Sequence, residues 1–445
     1  MRSIGFFAVF VGFSLSLGTI SVHAQSLTPQ QRAALQQELA QVEAEQRQAA
    51  DDLASAQSKS SSLARDIAVL NAKIKKAQLN IKAKNLLIQT LGNDIADKQS
   101  HINKLEGRIS QGKTTLATIL RKTNEIDAYS LPEVVLSQST VAGFFNDIDD
   151  FESVQNSLKI TFEQLRQDQA STTSEKNTLD KRRNTEMDAR YAIQQEEKNI
   201  KADEKEKQQL LALSKGSEKS YASLLAQKQA RAGQIRAALF PLAGGQKIPF
   251  GQALQYANAA SKKTGVRPAF ILAILTQESS LGANVGNCYL VDTSTGGGVN
   301  AKTGNAVSKV MSPSRDVPPF LTIVKALGYD PMKTVVSCPQ SVGWGGAMGP
   351  AQFIASTWVI IKDKVSSALG LSGDPDPWNP EHAFMASGLF LADIGASGGG
   401  YTAERNAACR YFSGSSCSKS SNIASYGNQV VAKADAIQQD INQLQ

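Results

Sequence analysis

Apolar and polar positions divide this 445-residue chain into two parts with different rhythms. From about Thr28, with Pro29 at a helix start, the chain is polar and reads as helix. Ile67, Ile74, Ile81, Ile88, Ile95, Ile102, Ile109 and Leu116 recur at intervals of seven. Three residues after each come Leu70, Ala77, Lys84, Leu91, Lys98, Leu105, Gly112 and Ile119. A heptad held this long, with β-branched residues at one seam position, predicts a coiled coil, because a globular amphipathic helix drifts out of that register. Lys84, Lys98 and Gly112 interrupt the seam, at a cost in stability that fixes register. The pattern breaks at Tyr129-Ser130-Leu131-Pro132, and an apolar cluster of Val134, Val135, Leu136, Val141, Phe144 and Phe145 follows. A second helical arm is predicted from about Asp150 to Leu239, with Phe151, Val154, Leu158, Phe162 and Leu165 at core spacing. Together the arms predict an antiparallel coiled-coil hairpin over 27–240 with a compact tip near 130–148. An arm of about 90 residues would reach roughly 135 Å at the helical rise.

Pro241, Gly244, Gly245 and Pro249 mark a linker over 241–249, and Phe250 opens a second domain over 250–445. That domain reads as helices joined by Gly-rich connections, with no run of alternating strands, so the fold class is all-α. Its central stretch runs from Ala269 to Gly282. Ile271, Leu272, Ile274 and Leu275 predict a helix with an apolar face, and Glu278 follows Ile274 by four residues. Partial burial there would disfavour the carboxylate and make Glu278 a proton donor near neutral pH. A glutamate in a last helical turn is more often merely solvated. Downstream, Gly346-Ala347-Met348-Gly349-Pro350-Ala351-Gln352-Phe353 combines close-approach glycines, an amide that both donates and accepts, and a flat apolar ring. Trp378-Asn379-Pro380-Glu381-His382-Ala383 leads into a helix. Arg410-Tyr411-Phe412-Ser413-Gly414 and Ser425-Tyr426-Gly427-Asn428-Gln429-Val430 complete the set.

Composition sharpens the division. Aromatics are 6% of the chain, yet Trp344, Trp358 and Trp378 all fall in the second part. A formal charge of +7 suits an anionic surface such as a cell wall or membrane, and no basic cluster forms a nucleic-acid footprint. The first 24 residues carry a signal-peptide signature. Arg2 is followed by an apolar run from Ile4 to Ile20 and then Val22-His23-Ala24, with cleavage expected after Ala24. A retained anchor is the alternative, but the run is short for a spanning helix. No cysteine stands near the cut, which excludes a lipid-anchored N-terminus of the bacterial lipoprotein kind. Export to the periplasm or the extracellular cell-wall space follows. Cys288, Cys338, Cys409 and Cys417 fit it, since an even count in an oxidising compartment reads as two disulfides. Cys409–Cys417 would close a short loop and Cys288–Cys338 a long one; the other two pairings stay open. A zinc site is the competing reading, disfavoured because there is no C-x-x-C and the histidines are His23, His101 and His382.

Taken in order, the Glu278, Gly346, Trp378 and Tyr411/Tyr426 segments resemble the lysozyme-like domain of lytic transglycosylases, closest to the membrane-bound transglycosylase B type. The resemblance covers roughly Phe250 to Val430. It implies a mainly helical lysozyme-like fold and cleavage of peptidoglycan between N-acetylmuramic acid and N-acetylglucosamine with a 1,6-anhydro product. It also implies Glu278 as the catalytic residue. Ser279, Ser280, Met348, Gln352, Phe353, Tyr411 and Tyr426 would bind substrate, with Ser279 or Ser280 at the acetamido region and Tyr411 hydrogen-bonded near Glu278. For Ser280 and Phe353, a cap and a core position are equally good readings. Release by water, as in a lysozyme, and a non-catalytic glycan-binding regulator are the rivals. Two departures stand out: the family's Tyr-Asn pair is Tyr411-Phe412 here, and its acidic calcium loop is reduced to Leu371–Pro377 with Asp374 and Asp376. The expectation is no metal and no cofactor, with Asp292, Asp316, Asp330, Asp374, Asp376 and Glu381 serving mainly as caps.

The first part, through Leu131-Pro132-Glu133-Val134-Val135-Leu136-Ser137-Gln138-Ser139 and Gly143-Phe144-Phe145, resembles the coiled-coil region of bacterial peptidoglycan-hydrolase regulators of the PcsB/EnvC/CwlO kind. That resemblance implies regulation or targeting at division sites by a membrane ABC-type complex. A generic spacer or dimerising rod is the plainer reading. An arm folded back over the glycan groove would restrain it until a partner pulled it away.

Overall fold

The computed structural model describes residues 29–58, 62–127, 141–214 and 248–444, apart from 341–342, together with Ser223 and Ala226. The expected signal peptide, most of the hairpin tip and most of the linker lie outside these residues. The described chain is predominantly helical, as the pattern of apolar positions predicts. Two compact units divide it: residues Met1–Arg47 with Ile81–Glu186, and Gln48–Asn80 with Met187–Gln445. The residues of the expected linker do not separate them.

Three long helices supply the first part: α1 (Pro29–Ser58), α2 (Leu63–Asp127) and α3 (Val141–Ser214). One continuous first arm was the expectation from the sequence; the chain instead breaks between Ser58 and Leu63. Ser62 caps α2 by accepting from the Arg65 amide at 3.2 Å. α3 begins at Val141, inside the segment expected as a tip.

In the first unit α2 and α3 run antiparallel, which the ion pairs record: Arg108–Asp168 at 2.6 Å, Lys98–Glu175 at 2.7 Å, and Arg182–Asp94. Ile102 and Leu105 are buried on the α2 seam, and Lys98 at its seam position is satisfied by Glu175. Gly112 receives a knob: a Cβ there would lie 2.9 Å from Cδ2 of Leu165. On α3 the expected core residue Phe162 is 49% exposed, whereas Leu165, Asp168, Thr172 and Leu179 are buried. The facing seam is thus partly polar, with Asp168 held by Arg108. A polar seam has no apolar period to read.

The second unit holds a globular core. Its helices are α4 (Phe250–Thr264), α5 (Pro268–Ser279), α6 (Val317–Ala326), α7 (Ala355–Leu369), α8 (Pro380–Leu391), α9 (Tyr401–Ser413) and α10 (Ser421–Leu444). A small antiparallel sheet of β1 (Cys288–Asp292), β2 (Gly297–Asn300) and β3 (Ala306–Val307), and a two-stranded pair of β4 (Ala347–Met348) and β5 (Phe353–Ile354), interrupt them. These short strands were not expected from the sequence, because most have too few residues to show an alternation. α5 is the axis of the core. Every residue from Ala269 to Leu275 is fully buried, so the helix is apolar all round and not along one face. Burying Phe270, Ile271, Leu272, Ile274 and Leu275 contributes on the order of 10 kcal/mol before entropy is counted. Pro268 opens α5 at a position where its missing N–H costs nothing.

The two disulfides are Cys288–Cys338 and Cys409–Cys417. The first ties β1 to the strand segment whose Val336 pairs with Cys288. Within this unit α3 docks through two residues. The Asp188 carboxylate accepts from the Thr402 amide at 2.7 Å and from its hydroxyl at 2.9 Å, placing a negative charge at the N-terminus of α9. Tyr191 stacks on Tyr401, with centroids 4.2 Å apart, and donates to Asp435. Among the described residues no helix is long and apolar enough to cross a membrane.

Candidate active site

α5 ends at Glu278-Ser279, and the chain leaves it through two left-handed residues, Ser280 (φ 51°) and Leu281 (φ 56°). The Leu281 amide reaches back to the Leu275 carbonyl at 3.1 Å, and the Ser280 amide to the Thr276 carbonyl at 3.0 Å, which closes the end of the helix. A side chain in this conformation costs about 1–3 kcal/mol. Of the four non-glycine residues with positive φ among the described residues, three are Ser280, Leu281 and Gln352. Strain is therefore concentrated where the carboxylate emerges. What holds it is Ser279, fully buried, whose hydroxyl donates to the Pro350 carbonyl at 2.6 Å and accepts from the Gly282 amide at 2.9 Å. Ser279 thus stitches the end of α5 to the Gly346–Gln352 loop. Its hydroxyl, expected at the acetamido region, is engaged by backbone on both sides. Ser280 is exposed and remains beside the site.

Glu278 is mostly enclosed. Burial pushes its carboxyl up, and the Tyr426 hydroxyl, which donates to Oε1, partly opposes the shift. Among the described residues no second carboxylate acts on it. The hydroxyl on Glu278 itself is that of Tyr426. Tyr411 donates to the Ala351 carbonyl at 2.8 Å, and burial first, then the negative charge of Glu278, raise its phenol well above the ordinary value. Both tyrosines therefore stay neutral near the acid, one touching it and one behind it. They are carried by α9 and α10; α10 packs on both α5 and α9, and its Lys433 donates to Gln277 at 2.8 Å.

Across from Glu278 lies the Gly346–Phe353 loop. A Cβ on Gly349 would fall 1.9 Å from the Pro377 carbonyl, so only glycine lets this loop meet the Trp378 segment. Gln352 holds φ at 53° and donates from Nε2 to the Gly349 carbonyl at 2.8 Å, with Val285 at 3.4 Å; its Oε1 meets no donor among the described residues. Met348 and Phe353, both expected to bind substrate, are buried in the core. Phe353 packs in an aromatic cluster with Trp358, Phe390 and Tyr411, and so supports the site from beneath.

The Trp378 segment is structural. Trp378 donates to the Val335 carbonyl at 2.9 Å, Asn379 caps α8 by accepting from the Glu381 amide at 2.9 Å, and His382 accepts from the Asp376 amide. The acidic residues set aside as caps divide in role: Asp374 pairs with Lys362, and Glu381 lies in the first turn of a helix capped by Asn379. Asp292 closes the turn with Ser294 and Thr295, and Asp376 accepts from the Trp378 amide. Asp316 is fully buried but holds Ser356 on α7 and Arg315, not its own helix. Among the described residues no three His, Cys, Asp or Glu side chains gather as a metal cluster. A cavity of about 580 Å³ lies between the loop after Glu278 and this segment, lined by Asn284, Asn287, Lys302, Pro350 and Trp378 among others.

A mostly enclosed carboxyl with a raised pKa and a phenol on one oxygen is suited to donate a proton and take one back. Residues 243–440 match the family model described as a transglycosylase SLT domain, so this part of the chain is similar to a domain of that kind. No curated protein and no solved structure matches the chain.

Proposed function

We propose that the chain is an exported lytic transglycosylase that cleaves the β-1,4 bond between N-acetylmuramic acid and N-acetylglucosamine. The observation that carries this reading is the buried Glu278, held by the Tyr426 hydroxyl, with no second carboxylate acting on it among the described residues. Glycosidases of the two-carboxylate kind need a partner to act as nucleophile or to activate water. Glu278 instead serves twice. As the acid, it protonates the glycosidic oxygen, and the N-acetylglucosamine leaves as an alcohol. The muramoyl 2-acetamido oxygen shares the positive charge at C1. As the resulting carboxylate, Glu278 removes the proton from the C6 hydroxyl, O6 bonds to C1, and the 1,6-anhydro ring closes with the acid regenerated. In this reading Gln352 and the exposed Ser280 contact the acetamido and glycan groups, and Tyr426 sets the proton affinity of Glu278.

The hairpin serves regulation or targeting in wall remodelling or division, with a membrane ABC-type division complex as its partner. Support comes from the heptad and from the resemblance around Leu131–Phe145, most of which lies outside the described residues. Export rests on the signal-peptide pattern, and the two disulfides agree with an oxidising wall compartment. Glu278→Gln tests the catalytic role: turnover of purified sacculi should vanish while glycan binding and melting hold. Retained turnover would leave Glu278 without the role assigned to it, and wild-type binding without cleavage would mark a non-catalytic regulator.

A further inference from the structure

Tyr411 and Phe412 are neighbours at the end of α9 but face opposite ways. Tyr411 joins the buried aromatic cluster, whereas Phe412 is 53% exposed, more than any other described aromatic side chain between residues 243 and 440. Its ring lies nearly parallel to that of Tyr426, with centroids 4.5 Å apart and planes at 13°. Tyr426 in turn holds Glu278. The stack uses one face of Phe412 and leaves the other open, one aromatic layer from the acid. Leaving the ring in water forgoes part of the roughly 1.5–3 kcal/mol that full burial of such a side chain brings. The Cys409–Cys417 disulfide closes the loop that carries it, so the ring is presented from a fixed frame.

We propose that the outer face of Phe412 is the floor of a saccharide subsite, taking the C–H face of an N-acetylhexosamine neighbouring the bond cleaved at Glu278. A β-1,4-linked pyranose presents axial hydrogens with partial positive charge, which match the negative face of an aromatic ring. The occupant follows from continuity: a glycan strand whose glycosidic oxygen sits at Glu278 continues past the Tyr426–Phe412 stack. Where the resemblance places an asparagine, this chain exchanges a directional amide contact for flat contact. Recognition at this subsite then depends on the shape of the sugar ring more than on its polar substituents. The inference rests on the proposed reaction, and its test separates the two.

Steady-state cleavage of a linear N-acetylglucosamine–N-acetylmuramic acid tetrasaccharide by the full chain should show Phe412→Leu raising KM roughly tenfold, which is 1.4 kcal/mol, with kcat little changed. Phe412→Trp should keep the wild-type KM. In the Glu278→Gln background, the emission of Phe412→Trp should change saturably with the same tetrasaccharide, beyond any change shown by Glu278→Gln alone. An unchanged KM in Phe412→Leu, a wild-type KM in Phe412→Asn, or an emission from Phe412→Trp that ignores the tetrasaccharide overturns the subsite. A fall in kcat alone in Phe412→Leu also overturns it, because Phe412 would then only prop up Tyr426. If the wild-type chain fails to cleave, the proposed reaction falls, and the emission readout still decides the subsite.

Discussion

Tyr426→Phe isolates one hydrogen bond at the centre of the site. The substitution keeps the ring that stacks on Phe412 and removes only the hydroxyl that donates to Glu278. A hydrogen bond to a charged group contributes about 1.5–3 kcal/mol net, and 1.36 kcal/mol corresponds to one pKa unit. Burial already raises the Glu278 carboxyl, and the Tyr426 bond opposes it. Removing the bond should therefore raise the carboxyl further. The acid form then persists to higher pH, and the alkaline limb of kcat/KM for muropeptide release should move up by the same amount. Stability carries the same signature. A carboxyl whose folded pKa lies above its unfolded value contributes stability below the unfolded pKa and loses it as pH rises through the folded one. The melting gap between Tyr426→Phe and wild type should be small in acid and widen toward neutral pH. An alkaline limb that stays put, or moves down, would refute the account of how Glu278 is tuned.

Arg267 binds the buried Glu404 with two hydrogen bonds of 2.9 and 2.7 Å and also reaches Asp435, linking α5, α9 and α10. Arg267→Ala should cost about 3–5 kcal/mol by leaving a buried carboxylate unpaired. Burial already raises Glu404 and the variant raises it further, so the deficit in a melting scan should shrink as pH falls; a deficit independent of pH contradicts this. For the disulfides, loop-closure entropy gives about 2.5 kcal/mol for Cys409–Cys417 and about 4 kcal/mol for Cys288–Cys338. Denaturant titration of the paired Cys→Ala variants should rank them in that order. Asp188→Ala removes the charge at the start of α9 and should cost about 1 kcal/mol in the same assay, comparable to loss of a helix cap.

The legible parts were those set by strong local patterns. The heptad from Ile67 announced the long helices, and the apolar run ahead of Glu278 announced α5, whose total burial explains why no polar face interrupts it. Order and spacing of motifs brought Glu278, Gln352, Tyr411 and Tyr426 into one candidate site. Contacts were less legible. Tyr411 and Tyr426 are both tyrosines on helices, and only the packing of α9 and α10 decides which hydroxyl meets the acid. Ser279 and Ser280 are adjacent and alike, yet the left-handed turn buries one and exposes the other. The seam of α3 escaped notice because Asp168 and Thr172 occupy it, and the α1–α2 break was masked by helix-compatible flanks. Phe412 was visible as a departure; its stack on Tyr426 was not.

The central claim is that Glu278 works alone and that the sugar's own C6 hydroxyl, not water, completes the reaction. Mass spectrometry of the products released from purified peptidoglycan tests it most directly. The account predicts 1,6-anhydromuramic ends, lighter than reducing ends by one water, from the wild-type chain and none from Glu278→Gln. Reducing ends from the wild-type chain would contradict it and assign water as the nucleophile.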